Sequence, residues 1–193
     1  RDLDRDLAML KAEGADFVFT PDVAEMYPGN EETIVETVKL SKVLMGKIRP
    51  GHFRGVATVC TKLFTIAMPD KAFFGEKDFQ QVAVIKRMVT DLNQPLEIVA
   101  VPTVRESDGL ACSSRNVRLT PEDRKAAVVL SQSLARAGEL VKSGERSVAS
   151  IRKAVRHTLK SEPRGIIEAV DIRDAATLQP VSGEFSKPIV MLL

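Results

Sequence analysis

The sequence predicts an α/β protein in which a parallel sheet is covered by helices and followed by a smaller α+β domain. Three observations predict it. Between residues 71 and 101, two short runs rich in Phe, Ile and Val flank a longer amphipathic stretch, the strand, helix, strand order of a crossover unit. After Pro102 the chain turns polar and loop-like. Two amphipathic helices then precede two apolar segments near the carboxyl end. A boundary is therefore expected near Pro102, dividing residues 1–102 from 103–193.

Arg1 to Lys11 carries Leu3, Leu7 and Leu10 at helical spacing. Asp16 to Thr20, rich in Phe and Val, predicts a short strand, punctuated by Pro21 before a turn around Tyr27-Pro28-Gly29-Asn30. Thr33 to Val38 suggests another strand, in which Ile34 alternates with exposed Glu32 and Glu36. Val56 to Met68 predicts a helix with Val59, Leu63, Ile66 and Ala67 inward, ended by Pro69-Asp70. Lys71 to Gly75 is then a strand, and Asp78 to Leu92 an amphipathic helix with Phe79, Val82, Ile85, Val89 and Leu92 on one face. Glu97 to Val101 is a strand closed by Pro102.

Beyond the polar run Arg105 to Asn116, Thr120 caps a helix with Pro121 at its first position and Glu122 and Asp123 at the positive end of the dipole. This helix is expected to bury Ala127, Leu130, Leu134, Ala137 and Val141 and to end before Gly144. A second, Ser147 to Lys160, carries Val148, Ile151, Val155 and Leu159. Strands over Ile166 to Arg173 and Pro188 to Leu193 give these helices a sheet to cover. The chain opens within a helical pattern and stops within an apolar run, so flanking sequence is expected at both ends.

Composition excludes several function classes. With 28 Lys and Arg against 26 Asp and Glu in 193 residues, the net charge of +2 leaves no electrostatic footprint for nucleic acid or an anionic membrane. Cys60 and Cys112 stand far apart with no CxxC or histidine-rich companion, which argues against a disulfide scaffold or a zinc site. Free thiols, a charged amino terminus and an apolar run no longer than Ile189 to Leu193 make the expected compartment the cytoplasm. No metal-ligating set is assigned to the chain.

Three segments carry chemistry. In FFGEKDFQQ, Phe73 to Gln81, a strand ends at Gly75 and a helix begins near Asp78, so Glu76, Lys77 and Asp78 project from the carboxyl edge of the sheet, where open α/β sheets bind ligands. Lys77 could neutralise a triphosphate and Asp78 accept from ribose hydroxyls; local pattern alone favours Asp78 as only a helix cap and Lys77 as a solvated side chain. In DGLACSSRN, Asp108 to Asn116, Gly109 permits a tight turn, Ser113 and Ser114 offer donors, and Arg115 supplies a planar fork suited to phosphate. That run serves equally as a polar interdomain linker, and its small polar residues predict few apolar contacts and a mobile lid. In RPGHFRGV, Arg49 to Val56, a constrained loop holds His52 and Arg54; a lone histidine is usually structural, and His157, on a helix, is expected to be exposed.

RPGHFRGV, FGEKDFQQ and DGLACSSRN, in that order and at these separations, resemble the signature stretches of the pantothenate synthetase (pantoate–β-alanine ligase) family. The resemblance implies a Rossmann-like first domain, a hinged lid domain and a homodimer. It also implies a reaction in which pantoate and ATP form pantoyl adenylate and pyrophosphate, assisted by Mg²⁺, after which β-alanine displaces AMP to give pantothenate. Matched residue by residue, Gly75, Glu76, Lys77 and Asp78 fall on the ATP-binding stretch and Gln81 on the pantoate-binding glutamine. Val104 falls on a nucleotide contact, and Cys112, Ser113, Ser114 and Arg115 on the second ATP loop. Lys77 and Arg115 are the residues implied to stabilise phosphoryl charge.

The family's opening segment also carries an HxGH-type motif with a catalytic histidine, and no such motif occurs in these 193 residues. Neither His52 nor His157 sits in that context, and the proton-donor role is given to neither. The expectation is a family member without that segment, whose 193 residues alone form pantothenate poorly. The alternatives are a related adenylate-forming ligase acting on another acid, and an inactive fragment that keeps only nucleotide-touching and dimerising surfaces.

Overall fold

The computed structural model describes residues 2–193 and opens on α1 (Leu3–Ala12), whose cap Asp2 accepts the Arg5 N–H at 3.1 Å. The leucine spacing is helical as expected, yet α1 buries none of its residues. Three helices follow: α2 (Val23–Met26), α3 (Met45–Ile48) and α4 (His52–Ala67).

Neither of the first two expected strands forms. Asp16 to Thr20 has no hydrogen-bonded neighbour among the described residues, and Phe17 is 96% exposed; a strand needs a ladder, and composition alone cannot supply one. Around Val35 the backbone bonds to a helix instead: its N–H donates to Thr58 Oγ1 of α4 at 3.0 Å, and its carbonyl accepts the same hydroxyl at 3.3 Å. The alternation is also inverted there. Ile34 is 60% exposed, Val35 packs on the core and Glu36 pairs with Arg54 at 3.4 Å.

Helix α4 begins at His52, earlier than the expected Val56, because Gly51 at φ 81° turns the chain directly into it. Starting there, it buries Phe53, Ala57 and Cys60. Val59 and Leu63 lie on the flank, and Ile66 and Ala67 face outward. The left-handed Met68 (φ 44°) ends the helix before Pro69, as the Pro-Asp punctuation predicts.

The next three elements keep the expected order: β1 (Lys71–Gly75), α5 (Phe79–Asp91) and β2 (Glu97–Val101). The strands are adjacent and parallel, in register from Lys71 opposite Glu97 to Gly75 opposite Val101. Ala57 and Cys60 of α4, Ile85, Met88 and Val89 of α5 and Ile98 of β2 form one core. Burial pushes the Cys60 thiol up to about 11. The expected α5 face holds at Val82, Ile85 and Val89, but Leu92 lies outside it and Gln80, Val84 and Met88 are buried as well.

The single helix expected after Thr120 is broken into α6 (Pro121–Ala126) and α7 (Val129–Lys142). At the break, the Val128 and Leu130 N–H groups bond three residues back, while the Ser131 and Ser133 hydroxyls donate to the Val128 and Val129 carbonyls at 2.9 and 2.7 Å. Such back-bonding bends helices, and it turns Leu130 outward. Helix α8 (Val148–Lys160) buries all four residues its periodicity nominates. A second core joins Ala137 of α7, Val148, Ile151, Val155 and Leu159 of α8, and Val170 and Ile172, beneath the antiparallel pair β3 (Asp171–Asp174) and β4 (Ile189–Leu192). Strand β3 is shorter than expected; Ile166 is exposed. The α/β class holds. Among the described residues no helix is long and apolar enough to cross a membrane.

Candidate active site

Because β1 and β2 are parallel neighbours, the segments that follow them leave the same edge of the sheet. Gly75, opposite Val101, closes β1 in an ordinary extended conformation with open space where a side chain would be. Glu76, Lys77 and Asp78 then form a single exposed 3₁₀ turn, and none has an ion-pair partner among the described residues. Asp78 stands at the N-cap position of α5, but its carboxylate makes no capping bond. A helix cap is therefore not what Asp78 does here. Gln81 is half-buried in the first turn of α5, whereas the neighbouring Gln80 is buried and fully engaged by the backbone of residues 40–45.

After β2 the chain makes a tight hairpin. The exposed Val104 accepts the Cys112 N–H at 2.9 Å, Arg105 bridges Ala111, and the Glu106 and Gly109 N–H groups close the turn on Leu110 and Glu106 carbonyls at 2.8 and 2.9 Å. Gly109 has φ 94°, and a Cβ there would meet Ser131 Oγ at 2.8 Å. Contrary to the expectation of few apolar contacts, Leu110 is buried. Arg124 of α6 holds Glu106 at 2.6 Å and Asp108 at 2.7 Å. Its hydrogen bond, with one from the Leu110 N–H, keeps the Asp108 carboxyl below the usual carboxylate range. The run is thus a braced loop rather than a loose linker.

Beyond Cys112, which is exposed, Ser113 Oγ accepts the Arg115 N–H at 3.2 Å and its carbonyl accepts the Asn116 N–H at 3.0 Å. Ser114 and the Arg115 guanidinium stay exposed, and Arg115 has no ion pair among the described residues. The structure thus brings the two nominated loops to one sheet edge.

His52 opens α4, half-buried against Phe53 at a ring separation of 5.0 Å. Burial lowers its pKa, Arg49 lowers it further, Asp78 pulls the other way and Arg115 adds a smaller lowering. What marks His52 in the sequence is the company RPGHFRGV keeps with the other two segments.

A parallel βαβ unit followed by two loops at its carboxyl edge defines the class, an α/β protein with a parallel sheet covered by helices. The sequence profile described as Pantoate-beta-alanine ligase matches residues 1–193. This chain belongs to the pantoate-beta-alanine ligase family. It is 56% identical over 193 residues to a pantothenate synthetase of Bartonella tribocorum, covering 100% of this chain and 68% of that relative. The crystal structure of pantothenate synthetase from Thermus thermophilus superposes with a TM-score of 0.91 at 44% identity, over 99% of this chain and 73% of that one. A pantoate-beta-alanine ligase from Francisella tularensis, complexed with beta-gamma ATP and beta-alanine, superposes with a TM-score of 0.67 at 32% identity, over 82% of this chain and 59% of its own.

Proposed function

We propose that this chain is a pantoate–β-alanine ligase, condensing pantoate with β-alanine at the expense of ATP, by way of pantoyl adenylate, to give pantothenate, AMP and pyrophosphate. The observation that carries the reading is the family match over the whole chain, at 56% identity to a pantothenate synthetase. The beta-gamma ATP and beta-alanine complexed with the Francisella tularensis relative support the substrate classes.

In this reading Gly75 to Asp78 and Val104 with Cys112 to Arg115 receive ATP from two neighbouring strand ends, and Gln81 receives pantoate. Attack of the pantoate carboxylate on the α-phosphate forms the acyl–phosphate bond and releases pyrophosphate. Negative charge builds on the phosphoryl oxygens, where Lys77 and Arg115 stabilise it; orientation of the two reactants supplies much of the remaining acceleration. The β-alanine amine then attacks the acyl carbon, AMP leaves, and the amine's proton is lost to solvent or base.

Mg²⁺, when bound with the triphosphate, would neutralise part of its charge. Such a magnesium usually takes one or two carboxylates besides phosphate and water, which the unpaired Glu76 and Asp78 fit, without a cluster of three or more acidic, His or Cys ligands among the described residues. A division near Pro102 into a nucleotide domain and a lid domain, a homodimeric assembly and a cytoplasmic setting complete the reading; the two separate cores and free thiols support the first and last.

The deciding assay follows AMP release from ATP, pantoate, β-alanine and Mg²⁺, using the 193-residue chain beside the same chain joined to the part of the Bartonella tribocorum relative that the match leaves uncovered. AMP release that depends on both pantoate and β-alanine is expected from the joined protein. Release indifferent to pantoate but dependent on another acid would reassign the substrate.

A further inference from the structure

Helix α5 begins without the anchor its sequence offers. Four N–H groups at a helix start need partners, and Asp78 stands where a capping carboxylate would supply one, at φ −97° and ψ 57°, without doing so. Gln80, in the same first turn, binds a distant segment rather than the helix's own N–H groups. It is 6% exposed; its Oε1 accepts the Met45 N–H at 3.1 Å, and its Nε2 donates to the Leu40 and Val43 carbonyls at 2.9 and 2.7 Å. One amide side chain thus grips residues 40–45 at three points.

The gripped segment is strained. Leu44 has φ 51° and ψ −125°, a backbone state that favours glycine. Gly46 approaches Ser41 so closely that a Cβ there would lie 2.1 Å from the Ser41 carbonyl oxygen, and the Thr37 and Ser41 hydroxyls share a buried 2.8 Å hydrogen bond. The same segment runs on through α3 to His52. Gln80 therefore ties the strand-to-helix turn carrying Lys77, Asp78 and Gln81 to the segment that delivers His52.

We infer that Gln80 is a positioning residue of the site, its buried amide clamping the first turn of α5 to residues 40–45 so that Gln81 is held in place. The inference rests on the proposed role of Gln81 as the pantoate contact.

Gln80→Glu tests it in the full-length protein. The substitution keeps an acceptor facing Met45, leaves at most one of the two donations and is close to isosteric; circular dichroism and a cooperative thermal transition establish that the protein folds. Expected is at least a tenfold loss of kcat/KM for pantoate, carried mainly by KM. Adding Leu44→Gly, which lets residues 40–45 hold their shape without the clamp, should restore pantoate use at least threefold. A folded Gln80→Glu protein with pantoate kinetics within twofold of the parent overturns the inference, as does a double variant that recovers nothing. Gln81→Ala measured alongside separates the two ideas. If it leaves pantoate use intact, the site reading has failed; if it impairs pantoate use while the Gln80 variants do not, only the positioning role falls.

Discussion

The turn after β1 leaves Glu76, Lys77 and Asp78 without ion-pair partners among the described residues, whereas the loop after β2 engages nearly every charge it holds. There Arg105 donates to the Gly109 carbonyl at 3.0 Å, and Glu106 and Asp108 share Arg124, leaving Arg115 as the loop's open charge. Charges satisfied internally set the shape of the loop after β2, whereas the turn after β1 holds its charges open.

If that contrast is right, the largest effect comes from the bare turn. Lys77→Ala should reduce pyrophosphate release by about a hundredfold or more without unfolding the protein, the usual scale for deleting one charge stabiliser of a transition state. Near-normal release by a folded variant would remove Lys77 from the mechanism. Next stands Arg115→Ala, the open charge of the braced loop, expected to cost roughly tenfold to a hundredfold in the same assay. A loss confined to the second, amine-dependent half-reaction would contradict the assignment.

Gln81→Ala should raise KM for pantoate several-fold and leave KM for ATP close to its original value; the reverse pattern would move Gln81 to the nucleotide. Arg124→Ala acts only through shape. Hydrogen exchange over residues 106–112 should accelerate while adenylation falls by less than Lys77→Ala makes it fall, and unchanged exchange would show that Arg124 does not brace the loop. The smallest effect concerns His52. Its folded pKa lies below 6.5, so its contribution to stability is complete above that value and is lost as pH falls through the lowered one. Thermal midpoints measured between about pH 7 and 5 should therefore drop more for the parent than for His52→Asn.

Legibility followed the source of each element's partners. Helix α8 was readable to the residue because Val148, Ile151, Val155 and Leu159 face one continuous core, and periodicity encodes a single buried stripe. Strands β1 and β2 were readable because Pro69, Gly75 and Pro102 punctuate them. Residues 16–20 and 33–38 were not, since their strand-like composition says nothing about whether a neighbour exists to complete the ladder. The α4 periodicity from Val56 misses the first turn at His52, because the left-handed Gly51 rather than a capping side chain starts the helix. Gln80 carried no signal at all, because an amide beside another amide reveals nothing about the carbonyls that a distant segment brings to it.

The contrast between the two cysteines gives the protein a reporter of its own. Cys60 is enclosed between α4 and α5 with its thiol held protonated far above neutral pH, while Cys112 is exposed at the start of the Ser113–Arg115 stretch. Alkylation depends on the thiolate and on access, so a maleimide or iodoacetamide near neutrality should mark Cys112 and spare Cys60 in the native state. The labelling rate then becomes a solution measurement of traffic at this loop, readable by intact mass. A second adduct would announce that α4 and α5 have parted.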